Sequence, residues 1–97
     1  MTTPLTLTRT TDQRGRSVLK AAGEIDLSNT AAFAAALSDA EGSLVVDLTE
    51  VHYIDSAGMS VLFAHAERLE LIATPLLAPI LTMSGLTSMA KVHGITK

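Results

Sequence analysis

The 97-residue chain has no cysteine, which excludes a disulfide framework and a thiolate zinc site and leaves the core to noncovalent packing. Charged residues are scarce at 18%, against 47% apolar, so disorder is excluded and one compact domain over 1–97 is expected. Long apolar runs are missing too. The greasiest stretch, Leu69 to Met83, is interrupted by Glu70, Pro75 and Pro79 and falls short of the roughly 20 apolar residues that span a bilayer. Met1 to Arg9 lacks the basic-then-apolar pattern of a secretion signal, so the expected location is cytoplasmic. With seven scattered basic residues and a net charge of −3, there is no footprint for a phosphate backbone, and no direct nucleic-acid partner is expected. Phosphate-cradling glycine motifs are absent as well. The chain is therefore expected to bind no nucleotide, and no cofactor or metal is predicted.

What is present reads as an α/β domain. Strand formers at Leu5, Leu7 and Arg9, and at Val18 and Leu19 leading to Ile25, flank the turn chemistry of Asp12-Gln13-Arg14-Gly15. This predicts an antiparallel hairpin. Ser28-Asn29 offers N-cap oxygens to a helix over Ala31–Ala40, with Phe33, Ala36, Leu37 and Ala40 at helical spacing. Leu44 to Leu48 reads as a strand buried on both faces, with helices on one side of the sheet or both. A shorter run, Val51 to Ile54, then delivers the chain to a second helix whose inward stripe is Met59, Leu62, Phe63 and Ala66. Leu69–Ala73 predicts a strand, Leu76–Ser84 a helix that contains Pro79 and ends at Gly85, and Met89–His93 a last strand. The order β-β-α-β-α-β-α-β implies a small mixed sheet of four to five strands flanked by helices.

Chemistry concentrates where the central strand hands over to the second helix. Ser56 falls at or beside that helix N-terminus, and small Ala57 and Gly58 are expected to leave the first-turn N–H groups open to an anion. A phosphate on Ser56 adds about −1.5 to −2 charge to a surface bearing Asp55, with Asp26 and Asp47 as further carboxylates, and repels a docked partner. Ser60 and Val61 fall off the inward stripe and are candidates for its partner-facing side. A simpler account makes Ser56 or Asp55 an N-cap worth about 1 kcal/mol. Asp26 either orients Ser56, contacts the partner, or caps the first helix. A hydrolase with His52, His65 or His93 as base lacks its elbow, since Ile54 replaces the first glycine of Gly-x-Ser-x-Gly. The three histidines also lack metal-ligand spacing.

The stretch Leu44-Val45-Val46-Asp47-Leu48-Thr49-Glu50-Val51-His52-Tyr53-Ile54-Asp55-Ser56-Ala57-Gly58-Met59-Ser60-Val61-Leu62 closely resembles the central segment of STAS domains, the sulfate-transporter and anti-sigma-factor-antagonist family. Gly23-Glu24-Ile25-Asp26 and Met83-Ser84-Gly85-Leu86 resemble its flanking blocks, so the likeness spans nearly the whole chain. It implies the STAS fold and a protein-binding switch that is not an enzyme. In the stand-alone bacterial members the serine after the aspartate, here Ser56, is phosphorylated by an anti-sigma factor that is also a serine kinase. Unphosphorylated protein binds that factor and frees the sigma factor, phosphorylated protein lets go, and a phosphatase is a further partner. The implied contact surface is Asp26, Asp55, Ser56, Ala57, Gly58, Ser60 and Val61. Other domains of this fold serve as accessory or ligand-sensing modules of transport, lipid-trafficking or stress-signalling complexes. The stretch from Gly58 to Leu69 is shorter than usual in the family, which implies a stunted second helix.

Overall fold

The computed structural model describes residues 4–95; residues 1–3 and 96–97 of the expected domain lie outside the described residues. Strands β1 (Thr6–Thr11) and β2 (Ser17–Ile25) form the opening hairpin. Its turn is closed by Asp12, whose carboxylate accepts the Arg14 and Arg16 N–H groups at 2.9 Å each, the local bonding that favours aspartate in turns. Helix α1 (Thr30–Asp39), strand β3 (Leu44–Ile54), helix α2 (Ser56–His65), strand β4 (Leu69–Ile72), helix α3 (Ala78–Met83) and strand β5 (Lys91–His93) follow, with 3₁₀ turns at Ala66–Arg68 and Leu86–Ser88.

The strands lie in the order β1-β2-β3-β4-β5, antiparallel in the hairpin and parallel from β2 onward. Every crossover therefore steps the same way across the sheet. Since such connections are right-handed, all three helices fall on one face. The packing agrees: Phe33, Leu37, Met59, Leu62 and Leu81 from the helices share one core with Leu19, Val46 and Leu71 from the sheet. The opposite face is open, and across it runs the paired row Lys20, Asp47, Ile72 and His93. Val18 and Val45 are buried on that open side, in a row with Glu70, whose carboxylate joins Arg16 and His93 at 3.0 and 2.9 Å.

Several local details differ from expectation. The runs Leu44–Leu48 and Val51–Ile54 are one eleven-residue strand, because two register shifts against β2 absorb the polar interval. Between the pairs Lys20↔Asp47 and Ala22↔Glu50, β3 uses one residue more than β2, and it does so again before Glu24↔Tyr53. Gly23, at φ 103°, takes up the second shift in a conformation that side chains disfavour. Asp47 accepts the Thr49 N–H and hydroxyl at 2.9 and 2.6 Å, supplying a partner where the ladder is interrupted. Helix α3 starts two residues later than predicted, after a turn in which Leu77 and Ala78 donate to Thr74 and Pro75 carbonyls. Pro79 thereby occupies the first turn of α3, where its missing N–H has no helical acceptor to lose. Helix α2 runs ten residues, as long as α1, and passes through one 3₁₀ turn directly into β4.

Candidate phosphorylation and docking site

Strands β2 and β3 stay paired to their ends, Ile25 against Ile54, so Asp26 and Asp55 leave the sheet side by side. The Asp55 N–H still donates to the Ile25 carbonyl at 3.1 Å. Its extended backbone then makes it the N-cap of α2, with one carboxylate oxygen accepting the Gly58 N–H at 3.0 Å. The other oxygen accepts the Leu27 N–H at 3.1 Å. One side chain thus ties the start of α2 to the loop after β2.

Because Asp55 is the cap, Ser56 is the first helical residue, exposed to solvent. Its carbonyl accepts the Ser60 hydroxyl at 3.0 Å. Among the described residues nothing hydrogen-bonds the Ser56 hydroxyl. The Ser56 and Ala57 N–H groups belong to the first turn and have no intrahelical acceptor; with the helix dipole they favour an anion at this position. The Gly58 N–H differs from the expected open donor, being taken by Asp55.

Gly58 is buried because α2 presses its first turn onto the strand ends. A Cβ there would lie 2.7 Å from Ile54 Cγ1 and 2.8 Å from Ile25 Cγ2, far inside ordinary contact. Glycine is therefore a packing requirement, and Gly58 offers a partner no surface. Val61 also departs from expectation: it is half-buried and packs against the core, whereas Ser60 is exposed. Asp26 is committed elsewhere, accepting the Ser28 N–H at 2.9 Å and the Ser28 hydroxyl. Asn29 holds the N-cap position of α1 without capping it; its side chain instead accepts the Asp26 N–H and donates to the Glu24 carbonyl at 3.0 and 2.9 Å. Asp47, eight residues before Asp55 and on the order of 25 Å back along β3, takes no part in this surface.

The structure thus brings Asp26, Asp55, Ser56 and Ala57 together, with Ser60 one turn further on. The residue overlooked in the sequence is Leu27, 79% exposed and bonded to the Asp55 carboxylate. Its signal was a lone leucine between two polar loop residues. Two of the three histidines are engaged elsewhere, His65 with Arg68 at 3.2 Å and His93 with Glu70, and His52 is exposed on β3. A cleft of about 900 Å³ lies at the opposite end of the strands, lined by Arg16, Arg68 and Lys91 among others, and contains none of Asp26, Asp55, Ser56, Ala57, Gly58, Ser60 and Val61.

A mixed sheet, parallel from β2 onward and with its helices on one face, is the frame of one known family. The family model described as "Mlab, STAS domain" matches residues 8–92, and the chain belongs to the STAS domain family. Among curated proteins it is similar to the anti-sigma-F factor antagonist RsfB of Mycobacterium tuberculosis, 36% identical over 74 residues. That match covers 71% of this chain and 61% of the relative, so less than two thirds of RsfB is represented. Among solved structures, an anti-sigma factor antagonist from Mycobacterium paratuberculosis superposes with a TM-score of 0.77 at 25% identity, covering 92% of this chain and 85% of the other. The anti-sigma factor antagonist SpoIIAA, solved in its unphosphorylated form, shares the fold with a TM-score of 0.69 at 19% identity, over 90% and 87% of the two chains. No helix among the described residues is long and apolar enough to cross a membrane.

Proposed function

We propose that this chain is an anti-sigma factor antagonist, a binding regulator without catalysis of its own. Unphosphorylated, it docks through Ser56 and its surroundings on an anti-sigma factor; phosphorylated on Ser56, it lets go. The anti-sigma factor is itself the serine kinase, a phosphatase resets the switch, and the exchange takes place in the cytoplasm, beside the transcription machinery that it regulates. One observation carries this reading: the cap of α2 is Asp55 and not Ser56, so an exposed hydroxyl sits at an anion-favouring position with no structural duty to abandon. The names of the similar proteins support the same reading.

The mechanism is electrostatic. A phosphoserine brings about −1.5 to −2 charge and three strong acceptors to a spot already bearing the Asp55 carboxylate. The helix terminus tolerates that charge, but a partner must strip its water to dock, and that cost releases the complex. The test is intact-mass analysis after incubation with ATP and each candidate anti-sigma kinase from the same genome. A gain of one phosphate in the wild type and none in Ser56→Ala is expected. Calorimetry with the same partner should find Ser56→Ala a tight binder and Ser56→Asp a weak one. Equal affinity of the two variants, or phosphate elsewhere on the chain, would refute the proposal.

A further inference from the structure

We infer that Leu27 is the apolar anchor of the surface on which the anti-sigma factor docks over Ser56; this rests on the function proposed above. Leu27 is among the most exposed large apolar side chains of the described residues, at 79%, yet its loop is tightly bonded. The Leu27 N–H is held by Asp55, the Ser28 N–H and hydroxyl by Asp26, and the Asp26 and Asn29 N–H groups by the Asn29 side chain and the Asp26 carbonyl. Asn29 anchors the whole turn to β2 through the Glu24 carbonyl. A leucine held out in water gains the isolated domain nothing. Because its backbone is held in advance, a partner that covers it need not order the loop, which is how a preorganised contact gains affinity.

Position identifies the occupant. The Leu27 amide is 3.1 Å from the carboxylate of the residue that precedes Ser56, so a protein that closes over the Ser56 hydroxyl also covers Leu27. The two contacts then act together. Burying Leu27 requires expulsion of water from the rim of Ser56, and a phosphate there holds that water in place. The anchor makes the charge switch sharper, since docking without desolvation forfeits it.

Full-length wild type, Leu27→Ala, Leu27→Asp, Leu27→Met and a control, Met83→Asp at an equally exposed site on α3, are titrated calorimetrically with each purified anti-sigma factor of the same genome. Circular dichroism and urea melts confirm folding of each variant. Wild type, Leu27→Met and Met83→Asp should bind within about threefold of one another, Leu27→Ala at least about tenfold more weakly and Leu27→Asp more weakly still. The Leu27→Ala KM as kinase substrate should rise with kcat unchanged, which a merely structural role would not produce. Wild-type affinity in folded Leu27→Ala and Leu27→Asp, alongside weakened Ser56→Asp, overturns the anchor and leaves the antagonist reading standing. If the wild type binds none of these factors and gains no phosphate, the antagonist reading falls and the anchor with it.

Discussion

Replacing Gly58 by alanine tests the packing on which the geometry of Ser56 depends. The new Cβ would sit 2.7 Å from Ile54 Cγ1, 2.8 Å from Ile25 Cγ2 and 3.1 Å from Ile54 Cδ1, against an ordinary carbon contact of about 3.5–4.0 Å. Helix α2 must lift by several tenths of an ångström or two buried isoleucines must leave their rotamers. Overpacking of this kind costs about 1–3 kcal/mol. Alanine returns up to about 1 kcal/mol through helix propensity, and less in a first turn, so a net loss of about 1–2 kcal/mol is expected. For a domain of this length that lowers Tm by roughly 5–15 °C and the urea midpoint by on the order of 1 M at unchanged slope. A double-mutant cycle with Ile54→Ala makes the assay specific: with Cγ1 and Cδ1 gone, only the 2.8 Å approach to Ile25 Cγ2 remains, and Gly58→Ala should cost clearly less than it does in the wild type. Strict additivity, or a single variant as stable as wild type, would refute the close approach of α2 to the strand ends.

Asp55→Ala should lose about 1–2 kcal/mol with the cap, whereas Asp55→Asn keeps the Gly58 bond but presents a donor to the Leu27 N–H; hydrogen exchange should then quicken at Leu27 in both variants and at Gly58 only in the first. Arg68 donates to the Ala40 and Gly42 carbonyls at 3.0 and 2.8 Å and to the Leu37 carbonyl, so Arg68→Ala should cost about 2–3 kcal/mol in urea melts and Arg68→Lys should recover less than half of it. Acid should weaken the open sheet face. The Arg16 backbone N–H and then its guanidinium hold the Asp12 carboxyl below its usual range; at Glu70, desolvation acts upward most strongly of any single cause, but the charge and hydrogen bond of Arg16 together with those of His93 outweigh it and the result is again lowered. Both contributions are complete above the ordinary carboxylate range and are lost as pH falls through the lowered values, so the urea midpoint should drop between pH 5 and pH 2, and by less in Arg16→Gln or in high salt. Ser56→Asp should leave the urea midpoint unchanged or raise it slightly, because the dipole gain of about 0.3–1 kcal/mol opposes repulsion from Asp55; a loss above about 1 kcal/mol would show that Ser56 carries structure.

Element types were legible wherever one periodicity dominated, as in α1 with Phe33 and Leu37 inward, or in the buried run Leu44 to Leu48. The two-part reading of β3 failed for a definite reason. Thr49 and Glu50 are exposed in a strand that bulges, and a bulge breaks the period-two pattern while the backbone continues. The start of α3 was placed early because a proline that breaks a helix interior is neutral in a first turn, and only the observed start at Ala78 shows which applies to Pro79. Which face the helices cover is not written in any single segment. It follows from strand order, which the chain sets through tertiary pairing.

The site shows the same division between what is local and what the fold creates. That Asp55 and Ser56 meet a helix start could be read directly, but which of them caps it depends on β2. The Ile25 carbonyl holds the Asp55 backbone extended, and an extended residue can cap, whereas the helical residue after it cannot. Gly58 was read as an open donor and proved to be a contact, because its neighbours Ile25 and Ile54 come from strands that pair only in the folded state. Leu27 escaped notice for the complementary reason. Its loop bonds to Asp55, 28 residues later, and a side chain held in solvent by tertiary hydrogen bonds has no sequence periodicity to betray it. In this domain the proposed acceptor serine is local, whereas the cap that frees it and the leucine beside it depend on the end of β2 and the loop that follows.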